Sequence, residues 1–242
     1  MNQRLIELAG VYNFRDIGGY PTADGRRTRW RRLYRSGDLH RLTDHGITTL
    51  QDDLGVRVIV DLRWPEDLER AGTLGLLADC DIARQQLPFG DAERLSGVPD
   101  LPVGLAYLPL AERCGDDVVR ITRALATGDS LPAVVHCSAG KDRTGIFIAL
   151  LLALLGVNDE TIVDDYALTG PVMPRWIAFL IERGELPPEQ GDEAHPGDAI
   201  APAAIQAMLD ALRIRHGSIE GYFLAHGLTN TEIARLQACL LD

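Results

Sequence analysis

The chain has 242 residues, of which 46% are hydrophobic and 24% are charged, and its formal net charge is −11. This size and composition are those of one globular domain, to which we assign residues 1–242. The acidic balance argues against a general nucleic-acid-binding protein, because such proteins present a basic face to the phosphate backbone. We therefore expect no nucleic-acid partner, and any basic site must be local.

The first ten residues lack the cationic region and apolar run of a secretory signal, so we expect a cytoplasmic protein, with signal-independent export left open. The longest apolar run, residues 146–155, is about half of the roughly 20 residues that a membrane-spanning helix needs. It predicts a buried core helix and no integral membrane segment. The four cysteines are far apart and show no metal-binding spacing, so we expect no disulfide framework, no metal and no cofactor.

The first third of the chain predicts strands and helices in alternation. Residues 11–37 contain glycine turn signals and predict a short hairpin with Trp30 and Tyr34 packed inward. A capped helix is expected from Thr43 to the glycine at position 55. After it we predict a buried strand over residues 56–63, a helix over 65–78 and a third strand over 82–89.

The rest of the chain continues this pattern with one interruption. Residues 90–115 are rich in proline and predict loops and turns, whereas 116–127 predict a helix, 131–136 a strand and 143–156 a helix. Such alternation predicts an α/β fold, with a central, mostly parallel sheet flanked by helices. The break comes after residue 170, where we expect an inserted helix and a connection, and residues 171–225 are predicted to form a helical lid within the single domain. The last helices are expected to begin near Pro202 and Thr231.

A seven-residue loop from Cys137 to Arg143 lies between the predicted strand 131–136 and the apolar helix. Amide groups of Ser138, Ala139 and Gly140 can point into one concavity, to which the helix N-terminus adds its positive end. Gly140 allows the loop to curl. This geometry predicts a site for a phosphate dianion.

Cys137, at the start of this loop, is the predicted nucleophile. Loop amides, a helix N-terminus and a guanidinium together can lower a thiol pKa from roughly 8.5 to about 4 to 7, which gives a thiolate at neutral pH. Arg143 offers a planar fork that binds two phosphoryl oxygens. Attack would form a phosphocysteine that water hydrolyses in a second step.

The remaining loop residues have two interpretations each. Lys141 is a second cation for a substrate with more than one anionic group, or it only pairs with Asp142. Asp142 is the best candidate for the acid that protonates the leaving oxygen. The Thr144 hydroxyl either bonds the sulfur and assists release of the phosphoryl group or caps the helix.

The segment HCSAGKDRTG resembles the Cys-x5-Arg protein tyrosine phosphatase superfamily, and within it the atypical bacterial tyrosine/serine phosphatase group (PtpB-like). Blocks at residues 13–20, 34–46, 58–67 and 161–170 and the tail from 217 to 236 are similar to segments of the same group. The resemblance implies a metal-free enzyme that hydrolyses phosphotyrosine, often phosphoserine or phosphothreonine, and in some cases phosphoinositides. It also implies helical lids over the site.

The group places its general acid beside the arginine, which supports Asp142, with Asp91 and Asp100 as further candidates. Residues 64–67, WPED, look like the mobile acid loop of classical tyrosine phosphatases. They lie about 70 residues before Cys137 and directly after a strand, so we interpret this similarity as accidental. Arg15 and Asp16 are expected to brace the loop or to touch substrate.

Two alternatives stand beside a protein tyrosine phosphatase that acts on a phosphotyrosine-containing protein. The first is a phosphoinositide phosphatase, which Lys141 would favour because a point charge can serve an additional phosphate. The second is a phosphate-binding or redox-sensing module, in which Cys137 is oxidised and Cys80 or Cys114 resolves it.

Overall fold

The computed structural model describes residues 4–71, 75–91, 107–127, 129–187 and 201–242. Its centre is a five-stranded sheet in the order β1-β2-β5-β3-β4, in which β1 alone runs antiparallel to its neighbour. The strands are β1 Arg15–Asp16, β2 Leu33–Ser36, β3 Val58–Asp61, β4 Ala83–Gln86 and β5 Ala133–His136. The predicted α/β class with a mostly parallel sheet is confirmed.

The register of the three central strands decides where the site lies. Ser36 of β2 and Asp61 of β3 both pair with His136 of β5, so the three strands end level with one another. Residues that follow these strands therefore leave the sheet at one edge. This edge, outside the carboxyl ends of the strands, is where open α/β sheets bind ligands.

Helices flank the sheet. Within the described residues they are α1 Asp44–Thr48, α2 Pro65–Ala71, α3 Tyr107–Arg113, α4 Gly115–Leu125, α5 Asp142–Leu154, α6 Asp159–Ala167, α7 Met173–Glu182, α8 Pro202–His216, α9 Ile219–Ala225 and α10 Asn230–Leu240. A π-helical turn at Thr49–Asp53 continues α1, and short 3-10 turns occupy Gly75–Asp79 and Gly170–Val172. Among the described residues, no helix is both long and apolar enough to cross a membrane.

Alternation along the strands sends side chains into two cores. Val58, Val60 and Val135 join a core formed with the helices, including α5 and α8, whereas Ile59 and Val134 pack into a second core on the other face. The apolar run 146–155 is buried in α5, as predicted. The first core also includes buried residues of α8 and α9.

Two local expectations are wrong. Trp30 is 44% exposed, and the guanidinium of Arg4 lies 4.7 Å from its ring, whereas Tyr34 is buried as predicted. Residues 107–113 form α3 rather than a loop; Pro109 lies in the first turn of this helix, where no amide donor is needed. Residues 92–106, with the candidate acid Asp100, lie outside the described residues.

Candidate active site

Residues 137–143, the phosphate loop, leave the sheet after β5 and fold back over the end of β2. Gly140 has a φ of +67°, and a Cβ there would lie 2.4 Å from the carbonyl oxygen of Ser36. Only glycine fits both conditions. The amide of Asp38, which follows β2, donates to the carbonyl oxygen of Ser138 at 2.8 Å. The loop is thus fixed to the neighbouring strand.

One side chain that precedes β1 and one from β2 hold the carbonyl groups of the phosphate loop from beneath. Asn13 Nδ2 donates to the carbonyl oxygens of Ala139 at 3.1 Å and Gly140 at 3.0 Å. Arg35 Nη2 donates to the same Gly140 oxygen at 2.9 Å. A trans peptide directs its N–H opposite to its C=O. The amides of Gly140 and Lys141 therefore point to the opposite side, where a phosphate would bind.

A buried ion cluster anchors these bracing groups. Asp165 Oδ2 lies 2.6 Å from Arg35 Nη1, and Asp165 Oδ1 lies 3.1 Å from Arg15 Nε; all three side chains are at most 1% exposed. Burial alone would raise the pKa of Asp165, but Arg15 and Arg35 hold it below its usual value. Burial and the charge of Arg35 lower the pKa of Arg15 to about 10. Two guanidinium groups thus share one carboxylate beneath the loop.

Arg15 and Asp16, paired in the sequence analysis, have different environments. Arg15 also donates to Asn13, and Asn13 in turn bonds the carbonyl oxygens of the loop. Asp16 accepts from the amides of Gly18 at 2.7 Å and Arg31 at 2.8 Å, and it fixes the turn beside β1. Only Arg15 is therefore tied to the site.

Cys137 and Arg143 lie at the two ends of the loop. Cys137 is 3% exposed, and Arg143 Nη2 lies 3.4 Å from Ser138 Oγ. Burial by itself would lower the pKa of Arg143, but the charges of Cys137 and Asp67 raise it. The guanidinium is therefore a permanent cation next to the thiol.

Asp67, which the sequence analysis set aside, contacts this arginine. Its Oδ2 lies 2.5 Å from Arg143 Nη1, and the guanidinium carbon lies 5.1 Å from the centre of the Trp64 ring. The contact arises because residues 64–67 follow β3, which ends at the same sheet edge as β5. The WPED pattern together with that strand order was the signal that could have identified Asp67.

Asp142 is the first residue of α5, and one of its oxygens is occupied. Oδ1 accepts from the Tyr107 hydroxyl at 2.5 Å and lies 3.7 Å from Lys141 Nζ. No contact among the described residues uses Oδ2, and the side chain is 44% exposed. Lys141 is only 3% exposed, so it lies below the surface beside Asp142 rather than at the mouth of the site.

Thr144 is fully buried in the first turn of α5. Its hydroxyl has no hydrogen-bond partner in the part of the chain that the structure describes, and α5 has no side-chain cap. The hydroxyl thus does not cap the helix and is available for another acceptor.

A cavity of about 440 Å³ opens beside the phosphate loop at Ser138. Trp176 and Leu180 of α7 form one wall, and Asp38, His40, Arg41, Asp67 and Glu185 complete the lining. Of the segment 171–225, α7 thus borders the site. Buried residues of α8 and α9, in contrast, belong to the main core, and residues 188–200 lie outside the described residues.

The chain is similar to known proteins over almost its whole length. The model of the tyrosine phosphatase family matches residues 6–242. The chain belongs to this family. The triple specificity protein phosphatase PtpB of Mycobacterium tuberculosis is 28% identical, over 97% of this chain and 98% of its own. A tyrosine-protein phosphatase of Nostoc commune is 32% identical, over 85% and 73% of the two chains.

Among solved structures, TpbA of P. aeruginosa aligns with 84% of this phosphatase and 91% of its own chain, at 18% identity and a TM-score of 0.44. The family assignment confirms the predicted superfamily and enzyme class. The protein is a cysteine-dependent tyrosine phosphatase that acts on phosphorylated substrates.

Proposed function

We propose that Cys137, Arg143 and Asp142 carry out this reaction on a phosphotyrosine-containing protein. The observation that carries the proposal is the braced loop, in which the carbonyls of Ala139 and Gly140 are held from beneath. The amides of the loop then face a phosphate together with the guanidinium. We assign phosphoryl binding to Ser138, Ala139, Gly140, Lys141 and Thr144.

In the first step, the Cys137 thiolate attacks phosphorus, a P–S bond forms and the bond to the tyrosyl oxygen breaks. The leaving oxygen takes a proton from Asp142. In the second step, water attacks phosphorus, the P–S bond breaks, and the water proton passes to Asp142. Thr144 is buried and has no hydrogen-bond partner among the described residues, so its hydroxyl is suited to bond the departing sulfur.

Two carboxylates compete for the acid role, and their contacts favour Asp142. Asp67 already forms an ion pair with Arg143 at 2.5 Å, so its charge balances the guanidinium. Asp142 keeps Oδ2 available on a partly exposed side chain. An acid must reach the leaving oxygen with a group that can exchange a proton.

The cavity beside Ser138 supports an aryl phosphate as substrate. Trp176 and Leu180 supply an apolar wall of the kind that contacts an aromatic ring. Lys141 is buried against Asp142 and does not offer an exposed second cation, so the site favours a phosphoprotein over a phosphoinositide. Because PtpB is named for triple specificity, phosphoserine and phosphothreonine belong among the tested substrates. A cytoplasmic location stays a prediction.

The test is metal-free hydrolysis by wild type, Cys137→Ser, Asp142→Asn and the matched variant Asp67→Asn. We expect the serine variant to be inactive. Asp142→Asn should lose about 100-fold or more in kcat on phosphopeptides, whose leaving groups are poor, and less on p-nitrophenyl phosphate.

The opposite pattern, with Asp67→Asn impaired on poor leaving groups and Asp142→Asn unaffected, would transfer the acid role to Asp67. Faster turnover of inositol phosphate headgroups than of phosphotyrosine peptides would favour the phosphoinositide alternative. Activity of Cys137→Ser equal to wild type would remove the nucleophile assignment.

A further inference from the structure

Tyr107 and Tyr166 connect the carboxylate of Asp142 to the protein interior. The Tyr107 hydroxyl lies 2.5 Å from Asp142 Oδ1 and 2.6 Å from the Tyr166 hydroxyl. Tyr107 is 3% and Tyr166 1% exposed, and their rings meet edge to face at 6.1 Å. Neither tyrosine has a part in the mechanism given above.

The hydrogen atoms of this chain can be placed by counting donors and acceptors. Burial, and then the charge of Asp142, raise the pKa of Tyr107, so its hydroxyl keeps its proton. Each phenol has one proton to donate. Because Tyr107 donates its proton to the Asp142 carboxylate, the proton between the two phenols comes from Tyr166.

A chain with this direction ends on an acceptor, here the carboxylate of Asp142. It engages Oδ1 and so fixes the plane of the carboxylate. Oδ2 is then the oxygen presented to the reacting group.

We propose that Tyr107, oriented by Tyr166, is a positioning residue that aims Asp142 Oδ2 at the reacting oxygen. This proposal rests on the proposed role of Asp142. Tyr107 is buried and acts through Asp142 rather than through the phosphate. Its loss should therefore change kcat much more than KM.

The experiment compares Tyr107→Phe and Tyr166→Phe with the matched variant Tyr222→Phe. Tyr222 is also buried, and its hydroxyl donates to the Ala111 carbonyl at 2.7 Å, away from Asp142. We expect Tyr107→Phe to lower kcat about tenfold, a fraction of a whole acid–base contribution, with KM within about twofold. Tyr166→Phe should lower kcat less, about threefold, because Tyr107 can still donate. Tyr222→Phe should keep the wild-type kcat.

The pH profile separates positioning from a general loss of structure. Without the Tyr107 hydroxyl, Asp142 Oδ1 loses this hydrogen-bond donor. The pH dependence of kcat should therefore change in Tyr107→Phe, because the hydrogen bonding of the proposed acid has changed. An unchanged profile in Tyr107→Phe, or an equal shift in Tyr222→Phe, would overturn the proposal.

A double mutant distinguishes failure of this proposal from failure of the acid assignment. Adding Tyr107→Phe to Asp142→Asn should cause no further loss of kcat if Tyr107 acts through Asp142. An additional tenfold loss would overturn the positioning role but leave Asp142 as the acid. Full activity of Asp142→Asn alone would instead refute the acid assignment itself. If Tyr107→Phe does not fold, the same double-mutant cycle is measured with Tyr166→Phe. The loss of kcat to be compared is then about threefold instead of about tenfold.

Discussion

The guanidinium of Arg35 holds the carbonyl oxygen of Gly140 at 2.9 Å, at the tightest point of the phosphate loop. Asp165 in turn fixes Arg35 through a 2.6 Å ion pair. The shape of the anion site thus depends on a charge cluster that is buried beneath the loop.

We first predict that Arg35→Lys lowers kcat/KM about 100-fold, the scale expected when a catalytic group moves by about 1 Å. Lysine keeps the charge but lacks the planar fork that reaches both Asp165 and Gly140. Arg26→Lys, the same exchange in an exposed pair with Asp24, should keep wild-type kinetics. Steady-state assays of both variants make the comparison, and equal activities would contradict the bracing role.

The second prediction concerns Asp67, which pairs with Arg143. An anion that binds the guanidinium must compete with this carboxylate, so Asp67→Asn should tighten inhibition by inorganic phosphate about fivefold, equal to about 1 kcal/mol. Glu66→Gln removes the same charge from the neighbouring exposed position and should change inhibition little. If both variants shift the inhibition constant equally, the effect is one of net charge rather than of the pair.

The third prediction concerns acid stability and Asp38. Although burial opposes it, hydrogen bonds and charges from His40, Arg63 and His136 lower the pKa of Asp38 from 3.8 to about 2. The folded state therefore gains stability from ionised Asp38 above about pH 4 and loses it progressively as the pH falls to about 2, on the order of 2 kcal/mol.

Asp38→Asn should accordingly be less stable near neutral pH, and its free energy of unfolding should fall less steeply than that of wild type over the same acid range. Urea unfolding at a series of pH values measures both slopes. Parallel curves for the two proteins would show that Asp38 does not contribute through ionisation.

The fourth prediction uses two residues of α8, which lies in the segment predicted as a lid. Leu209 is fully buried and Ile214 is 84% exposed. Leu209→Ala should lower the free energy of unfolding by about 2 to 5 kcal/mol, because it leaves a cavity in the core. Ile214→Ala should change it by less than about 0.5 kcal/mol. A small effect at Leu209 would indicate that α8 separates from the core without global unfolding.

The sequence was most informative where the chemistry is contiguous. Cys137 and Arg143 lie in one loop between a strand and a helix, so their relation follows from local structure alone. The strand Val58–Asp61 was also predictable from local sequence, because an almost unbroken apolar run indicates burial on both faces.

Other features depend on contacts between distant parts of the chain. Asp165 lies 130 residues from Arg35, and Tyr107 lies 35 residues from Asp142. No periodicity relates such positions, because tertiary packing decides which side chains meet. The expected burial of Trp30 was wrong for a related reason. An aromatic residue near a turn predicts burial, but this ring lies at the surface, where it contacts the guanidinium of Arg4.

Asp165 and Tyr166 are consecutive residues of α6, yet the first supports the phosphate loop and the second leads to Asp142. The Tyr166 ring packs so closely on α5 that a Cβ on Gly145 would lie 2.9 Å from it. A shift of α6 relative to α5 would therefore disturb both the anion site and the acid at once.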